Sequence, residues 1–161
     1  MKHSIRFLVA AVSFTVVAVG LHAQVGTKPT LTLELAKKVA AKAEAEAIKS
    51  KWTVVIAIVD DSGNPVYLEK MDGTQLGSID VAQEKARTAV RFKRSTKVFE
   101  DAVAGGRTAI LSLPGVVAIE GGLPLVVDGT YIGAIGISGM KSSEDGVIAQ
   151  AGVSVLAQAG K

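Results

Sequence analysis

The chain has 161 residues, two histidines, no cysteine and a formal net charge of +3. Both histidines, His3 and His22, precede Gln24, so from there on neither an imidazole nor a thiolate is available. That excludes catalysis built on those groups, disulfide staples, and zinc sites with nitrogen and sulfur ligands.

In chain order, the opening stretch MKHSIRFLVAAVSFTVVAVGLHAQ reads as a secretory signal peptide over residues 1–23. Lys2 and Arg6 form the positive region, Phe7 to Leu21 the apolar region, and Leu21-His22-Ala23 the exit before Gln24. The apolar run is about fifteen residues, short of the ~20 that a membrane span needs. A retained N-terminal anchor is the alternative. The expected location is therefore periplasmic or secreted, with no membrane span once the leader is removed. Losing Lys2 and Arg6 leaves 16 basic against 15 acidic residues, so the charge balance is no argument for nucleic acid. Residues 24–30 read as a linker and 31–161 as one domain of ordinary size.

Thr30 or Thr32 caps a helix running to about Ser50, with Ala36, Val39, Ala40, Ala43 and Ala47 on one apolar stripe of mostly small side chains. Thr53 to Val59 is a β-branched run that predicts a strand buried on both faces, and Pro65 to Met71 its returning partner. Between them Asp60-Asp61-Ser62-Gly63-Asn64 has the chemistry of a turn. Ser78 opens a second helix with Ile79, Ala82, Ala86, Ala89 and Val90 on its apolar side. Asp80, Glu84, Arg87, Arg91 and Arg94 lie on the other side. Ser95-Thr96 restarts a short helix that ends at Gly105-Gly106. Three strands are then expected: Val116 to Glu120, Leu123 to Val127, and Tyr131 to Ser138, the last two joined by the hairpin signal Asp128-Gly129. A final helix covers about Ser142 to Gln158. The order α-β-β-α-α-β-β-β-α predicts an α/β domain of the α+β type. Its single, mostly antiparallel five-stranded sheet would be covered by helices.

Four stretches carry a resemblance over about Leu31 to Ala159: LTLELAKKVAAKAEAEA, IAIVDDSGNPVYLEKMDG, GSIDVAQEKARTAVRFKRST and LPGVVAIEGGLPLVVDGTYIGAIGISG. Met-Asp-Gly, Lys-Ala-Arg-Thr-Ala and Gly-Gly-x-Pro in this order resemble the GlcG/HbpS family, also called the haem-degrading domain family. The resemblance implies a profilin-like domain and a homo-oligomer. Some members are exported haem-binding proteins that work beside a sensor kinase and degrade haem or hold iron. Another is encoded among glycolate-utilisation genes, and related domains sit behind corrinoid adenosyltransferases. No single family reaction follows.

Haem, the cofactor or ligand that the resemblance implies, needs an iron ligand, a flat apolar slot and cations for its propionates. The usual His and Cys ligands are missing, which leaves Met71, Met140, Tyr67, Tyr131, lysines, hydroxyls or water. Arg87, Arg91 and Arg94, with Lys85, Lys93 and Lys97 nearby, form the densest cationic cluster. They are the candidates for propionates or another carboxylate, since a guanidinium presents a planar fork to that group. The plainer reading is a solvated helix face paired with local acids. Met71-Asp72-Gly73, where the second strand leaves towards the arginine-bearing helix, is the place where the hairpin would meet a ligand. Asp60-Asp61 reads as a bend, and a metal there would need oxygen ligands from elsewhere. Gly133, Gly136 and Gly139 mark close backbone approach in the last strand. Neither double glycine forms a phosphate loop, so no nucleotide cofactor is implied.

The sequence thus points to an exported small-ligand binding protein, with haem as the first candidate. One alternative is an enzyme or auxiliary factor that acts on a small organic acid or imine through carboxylate and Arg groups. Another is a purely structural oligomer.

Overall fold

The computed structural model describes residues 26–159. The leader and the first linker residues lie outside the described residues. Helix α1 spans Leu33–Ser50, strand β1 Val55–Asp60, β2 Pro65–Lys70, α2 Ser78–Phe92 and α3 Lys97–Ala104. A short 3-10 helix, Thr108–Ser112, follows; then come β3 Gly122–Val127, β4 Thr130–Ser138, α4 Ser142–Val153 and α5 Leu156–Ala159. The strands form one antiparallel sheet in the order β2-β1-β4-β3.

The sheet has four strands, not the five expected, because Val116 to Glu120 is irregular. Its β-branched residues suit a strand, but two of its backbone donors are taken by side chains and Val116 N–H by the Leu113 carbonyl of the preceding turn. Val117 N–H donates to Thr88 Oγ1 at 3.0 Å, and Glu120 N–H donates to the Glu100 carboxylate. With no strand ladder to join, the segment runs as a loop beneath α2.

Strand β1 is central and alternates between two different interiors. Val55, Ala57 and Val59 pack with Ala82, Ala86, Ala89 and Val90 of α2. Ile56 and Ile58, with Ile135 and Ile137 of β4, pack with Val39, Ala40, Ala43 and Ala47 of α1 and Ile148 and Ala149 of α4. The domain therefore has three layers, with small side chains on the α2 face and large ones on the α1/α4 face. On the small-residue face the spacing is set by glycine: a Cβ on Gly136 would overlap the Ala82 carbonyl and come within 2.6 Å of Ala86 N. Gly133 abuts the Val59 carbonyl and Gly139, just past the strand, the Thr53 carbonyl, so all three glycines serve backbone packing.

The helix ends follow their local chemistry. Thr32 accepts the Leu35 N–H at 3.2 Å and so caps α1. Ser78 does not cap α2; its hydroxyl is buried and meets the Ser138 hydroxyl at 3.2 Å, which ties the helix start to the end of β4. The β1–β2 bend is organised by Asp60. Its Oδ1 accepts the N–H groups of Ser62 and Asn64 at 2.9 and 2.8 Å, and Gly63 takes a φ of +87°. Asp61 pairs with Lys28.

Candidate functional site

Where β3 begins, three segments distant in sequence enclose a cleft of about 520 Å³. Gly121 and Leu123 form its back and Ser143, Gly146, Val147 and Gln150 of α4 one side. Ser95, Lys97 and Glu120 form the rim. The volume lies within the 300–1,000 Å³ typical of small-molecule sites. Two of the nine lining residues are glycines, and Leu123 and half-exposed Val147 are apolar; Ser95, Lys97, Glu120, Ser143 and Gln150 are polar.

Gly121 cannot be anything larger. Its φ is +124°, and a Cβ would sit 2.7 Å from the Ile137 carbonyl, 2.8 Å from Lys85 Nζ and 2.9 Å from Asp145 Cβ. Behind this glycine lies the most buried charge pair described in the domain. Lys85 Nζ donates to Asp145 Oδ2 at 2.8 Å and to the Ile137 carbonyl at 3.0 Å, with both side chains at most 2% exposed. Asp145 Oδ1 accepts the Met140 N–H at 3.1 Å. Burial pushes the Asp145 carboxyl up, against the pull of Lys85. The pair locks α2, the end of β4 and the start of α4 together.

A second polar cluster holds the rim. Glu100 of α3 accepts the Ser142 hydroxyl at 2.8 Å as well as the Glu120 N–H. The Glu120 carboxylate lies against Gly146, and Lys97 Nζ is 2.7 Å from Asp101 and 3.9 Å from Glu120.

The arginines expected to act as a cluster have three separate environments. Arg87 donates from Nε to the Gly63 carbonyl at 3.2 Å and pairs with Glu84 at 2.6 Å, so it braces the hairpin bend against α2. The Arg91 guanidinium lies over Gly115. Arg94 donates to the Phe92 carbonyl at 3.0 Å and rests 5.8 Å above the Phe99 ring. None of the three lines the cleft.

Of the remaining candidates, Lys85 and Met140 come together around Asp145. Tyr67 belongs to β2, at the opposite edge of the sheet from β3, and Met71 directly follows that strand. Tyr67 donates to Glu69 at 2.9 Å, and this bond raises its pKa above 10.0. Met71 packs on the main core and its N–H donates to the Val54 carbonyl at 3.0 Å. Met140 is exposed. Asp72 is exposed at the second position of a turn closed by Thr74 N–H to the Met71 carbonyl, with Gly73 at φ +79°. The Met-Asp-Gly motif thus makes a turn away from the cleft. Among the described residues no group of three or more His, Cys, Asp or Glu is placed to hold a metal ion. None of the described helices is long and apolar enough to cross a membrane.

Sequence reasoning singles out Glu120 only as one of several candidate acids and Gly146 only within the helix-start stretch 140–146; it does not join them with Gly121 and Val147 into one cleft. Lys85 was readable as buried, since it stands three residues after Ala82 and four before Ala89, on the apolar stripe. Asp145 likewise precedes Ile148 by three and Ala149 by four.

Residues 31–154 match the family model described as haem degrading protein HbpS-like. Protein GlcG of Escherichia coli is 43% identical over 112 residues, which cover 70% of this chain and 84% of GlcG. The fold is similar to a crystal structure of a double mutant of Streptomyces reticuli HbpS: TM-score 0.75, 31% identity, 91% of this chain and 99% of that one. It is also similar to a structure of a PduOC:heme complex: TM-score 0.71, 31% identity, 78% of this chain and 94% of that one. The match extends through every strand of the sheet and both members of the buried Lys85–Asp145 pair, and this chain belongs to the HbpS-like family of haem-degrading proteins.

Proposed function

We propose that this is a haem-binding protein, and that the cleft between β3, α4 and the start of α3 receives the haem. The observation that carries the reading is the cleft itself: about 520 Å³, walled by Gly121 and Gly146, with Leu123 and Val147 as apolar contacts and Lys97 at the rim. Apolar side chains suit the macrocycle, and a rim ammonium suits a propionate. Membership of a haem-degrading family, and likeness to a protein crystallised with haem, support the same ligand.

Haem here is cargo, and its iron would meet oxygen donors. The cleft offers Glu120, Ser95 and Ser143, while the described chain has neither His nor Cys. Water or a carboxylate oxygen is a weak axial ligand, so the reading favours holding and handing over haem. The role extends to an exported oligomer. A leader over residues 1–23 supports delivery to the periplasm or exterior. Exposed Leu76, Leu111, Ile119 and Val147 supply apolar surface for assembly.

Titration of the purified protein with haem, followed by Soret absorbance, tests the proposal. A saturable shift is expected, weakened by Val147→Asp and by Lys97→Glu, both at exposed positions, with circular dichroism of each variant checking that it is folded. A flat titration at micromolar protein refutes it. Mass spectrometry of the exported protein should show Gln24 as its first residue, and light scattering should give a mass above that of one chain.

A further inference from the structure

On the other side of α3 from the cleft is a smaller slot of about 190 Å³, walled by Phe92, Val98, Phe99, Ile110 and Leu113. Arg94 and Arg107 border it. We infer that this slot binds a small apolar carboxylate, a single-ring or short-chain monoacid, through those two guanidiniums.

The walls are apolar and pre-shaped. Phe92 and Phe99 meet edge to face at 5.3 Å and 74°, and Ile110 of the 3-10 helix is buried against the slot. Val98 and Leu113 remain 48% and 40% exposed, so apolar surface faces the opening without a cover.

The charge is unbalanced in one direction. Among the described residues neither Arg94 nor Arg107 pairs with a carboxylate. The acids of α3 are committed elsewhere, Glu100 to Ser142 and Glu120 N–H, and Asp101 to Lys97. Arg94 already lies with its guanidinium carbon 5.8 Å from the centre of the Phe99 ring and its Nε on the Phe92 carbonyl. Arg107 is fixed at its backbone, where its N–H closes α3 on the Ala102 carbonyl at 2.8 Å. Two forks at the mouth of an apolar slot fit a ligand with one anionic end and one apolar body.

Size sets the class. An apolar cavity of about 150 Å³ holds one benzene ring, so this slot takes one ring or a short chain and excludes a porphyrin. The assignment is independent of haem binding in the cleft.

Calorimetric titration of the whole protein with benzoate, phenylacetate and hexanoate, and with neutral benzamide as control, tests it. At least one acid should bind saturably at one per chain, and benzamide should not. Arg94→Gln and Arg107→Gln should each weaken the acid at least about ten-fold, the scale of a charge-assisted hydrogen bond. Ala102→Leu, which fills the slot without touching a charge, should abolish binding while circular dichroism and thermal melting stay as in the parent. The assignment falls if no acid binds, if benzamide binds as well as the acids, or if Ala102→Leu leaves affinity intact. Mutually exclusive binding of the acid and haem, with haem shifting the apparent acid affinity without limit, would give the slot to a propionate and overturn it as well.

Discussion

Lys85 and Asp145, sixty residues apart in sequence, face each other at 2.8 Å with almost no exposure to solvent. A buried pair owes much of its effect to what remains when one member is removed. Lys85→Met strands a carboxylate and Asp145→Leu strands an ammonium, so each single change is expected to cost about 3–5 kcal/mol. The double change removes both charges and should recover most of that loss. Urea unfolding of the four proteins gives the coupling energy. Additive losses would show that the pair is not a unit.

Gly136→Ala is expected to destabilise by about 1–3 kcal/mol, the range for overpacking a tight core. The added methyl meets backbone of α2, which cannot rotate aside. Gly26→Ala, where nothing lies within 4 Å, is the matched control and should be near neutral. Thermal melts of both variants decide the point.

Arg87→Ala should lower stability by about 1 kcal/mol, through loss of its bonds to Gly63 and Glu84. It should leave the haem titration unchanged, whereas Lys97→Glu should weaken it. The opposite pattern would return the propionate role to the α2 face.

How far the sequence leads can be judged from these residues. The five small residues of α1 were legible as a buried stripe, and all five are at most 1% exposed. Strand β1 was legible because hydrophobicity on every residue means two covered faces. The Val116 to Glu120 strand failed for a reason that composition does not carry. A strand needs a neighbour's backbone, and here the donors go to Thr88 and Glu100, which are respectively 29 and 20 residues away. Arg87, Arg91 and Arg94 recur at the spacing of one helix face, yet α2 ends at Phe92, and the hairpin, the 115 loop and α3 each draw one of them aside. The cleft was illegible because no local pattern announces it: its walls come from residues 95–97, 120–123 and 143–150.

Tyr67 carries a pH signature. Its hydroxyl donates to Glu69, so its pKa in the folded protein lies above the unfolded value of 10.0. The bond's contribution is fully present below pH 10 and is lost as pH rises through the folded value. The site is partly solvated, so Tyr67→Phe should cost only a few tenths of a kcal/mol at neutral pH. That gap should close well above pH 10. Paired denaturation curves at the two pH values test it, and a gap that widens with pH would contradict the assigned direction.

Helix α3 has eight residues, little more than two turns, and it borders two spaces at once. Lys97 at its start, with Ser95 just before it, faces the cleft, while Val98, Phe99 and Ala102 wall the slot. A guest on either side would press against the same short wall. If each space holds its proposed guest, their affinities are linked, and by thermodynamic reciprocity each guest changes the other's binding by the same factor. Two neighbouring rooms with one thin partition would then make a small acid a regulator of haem release.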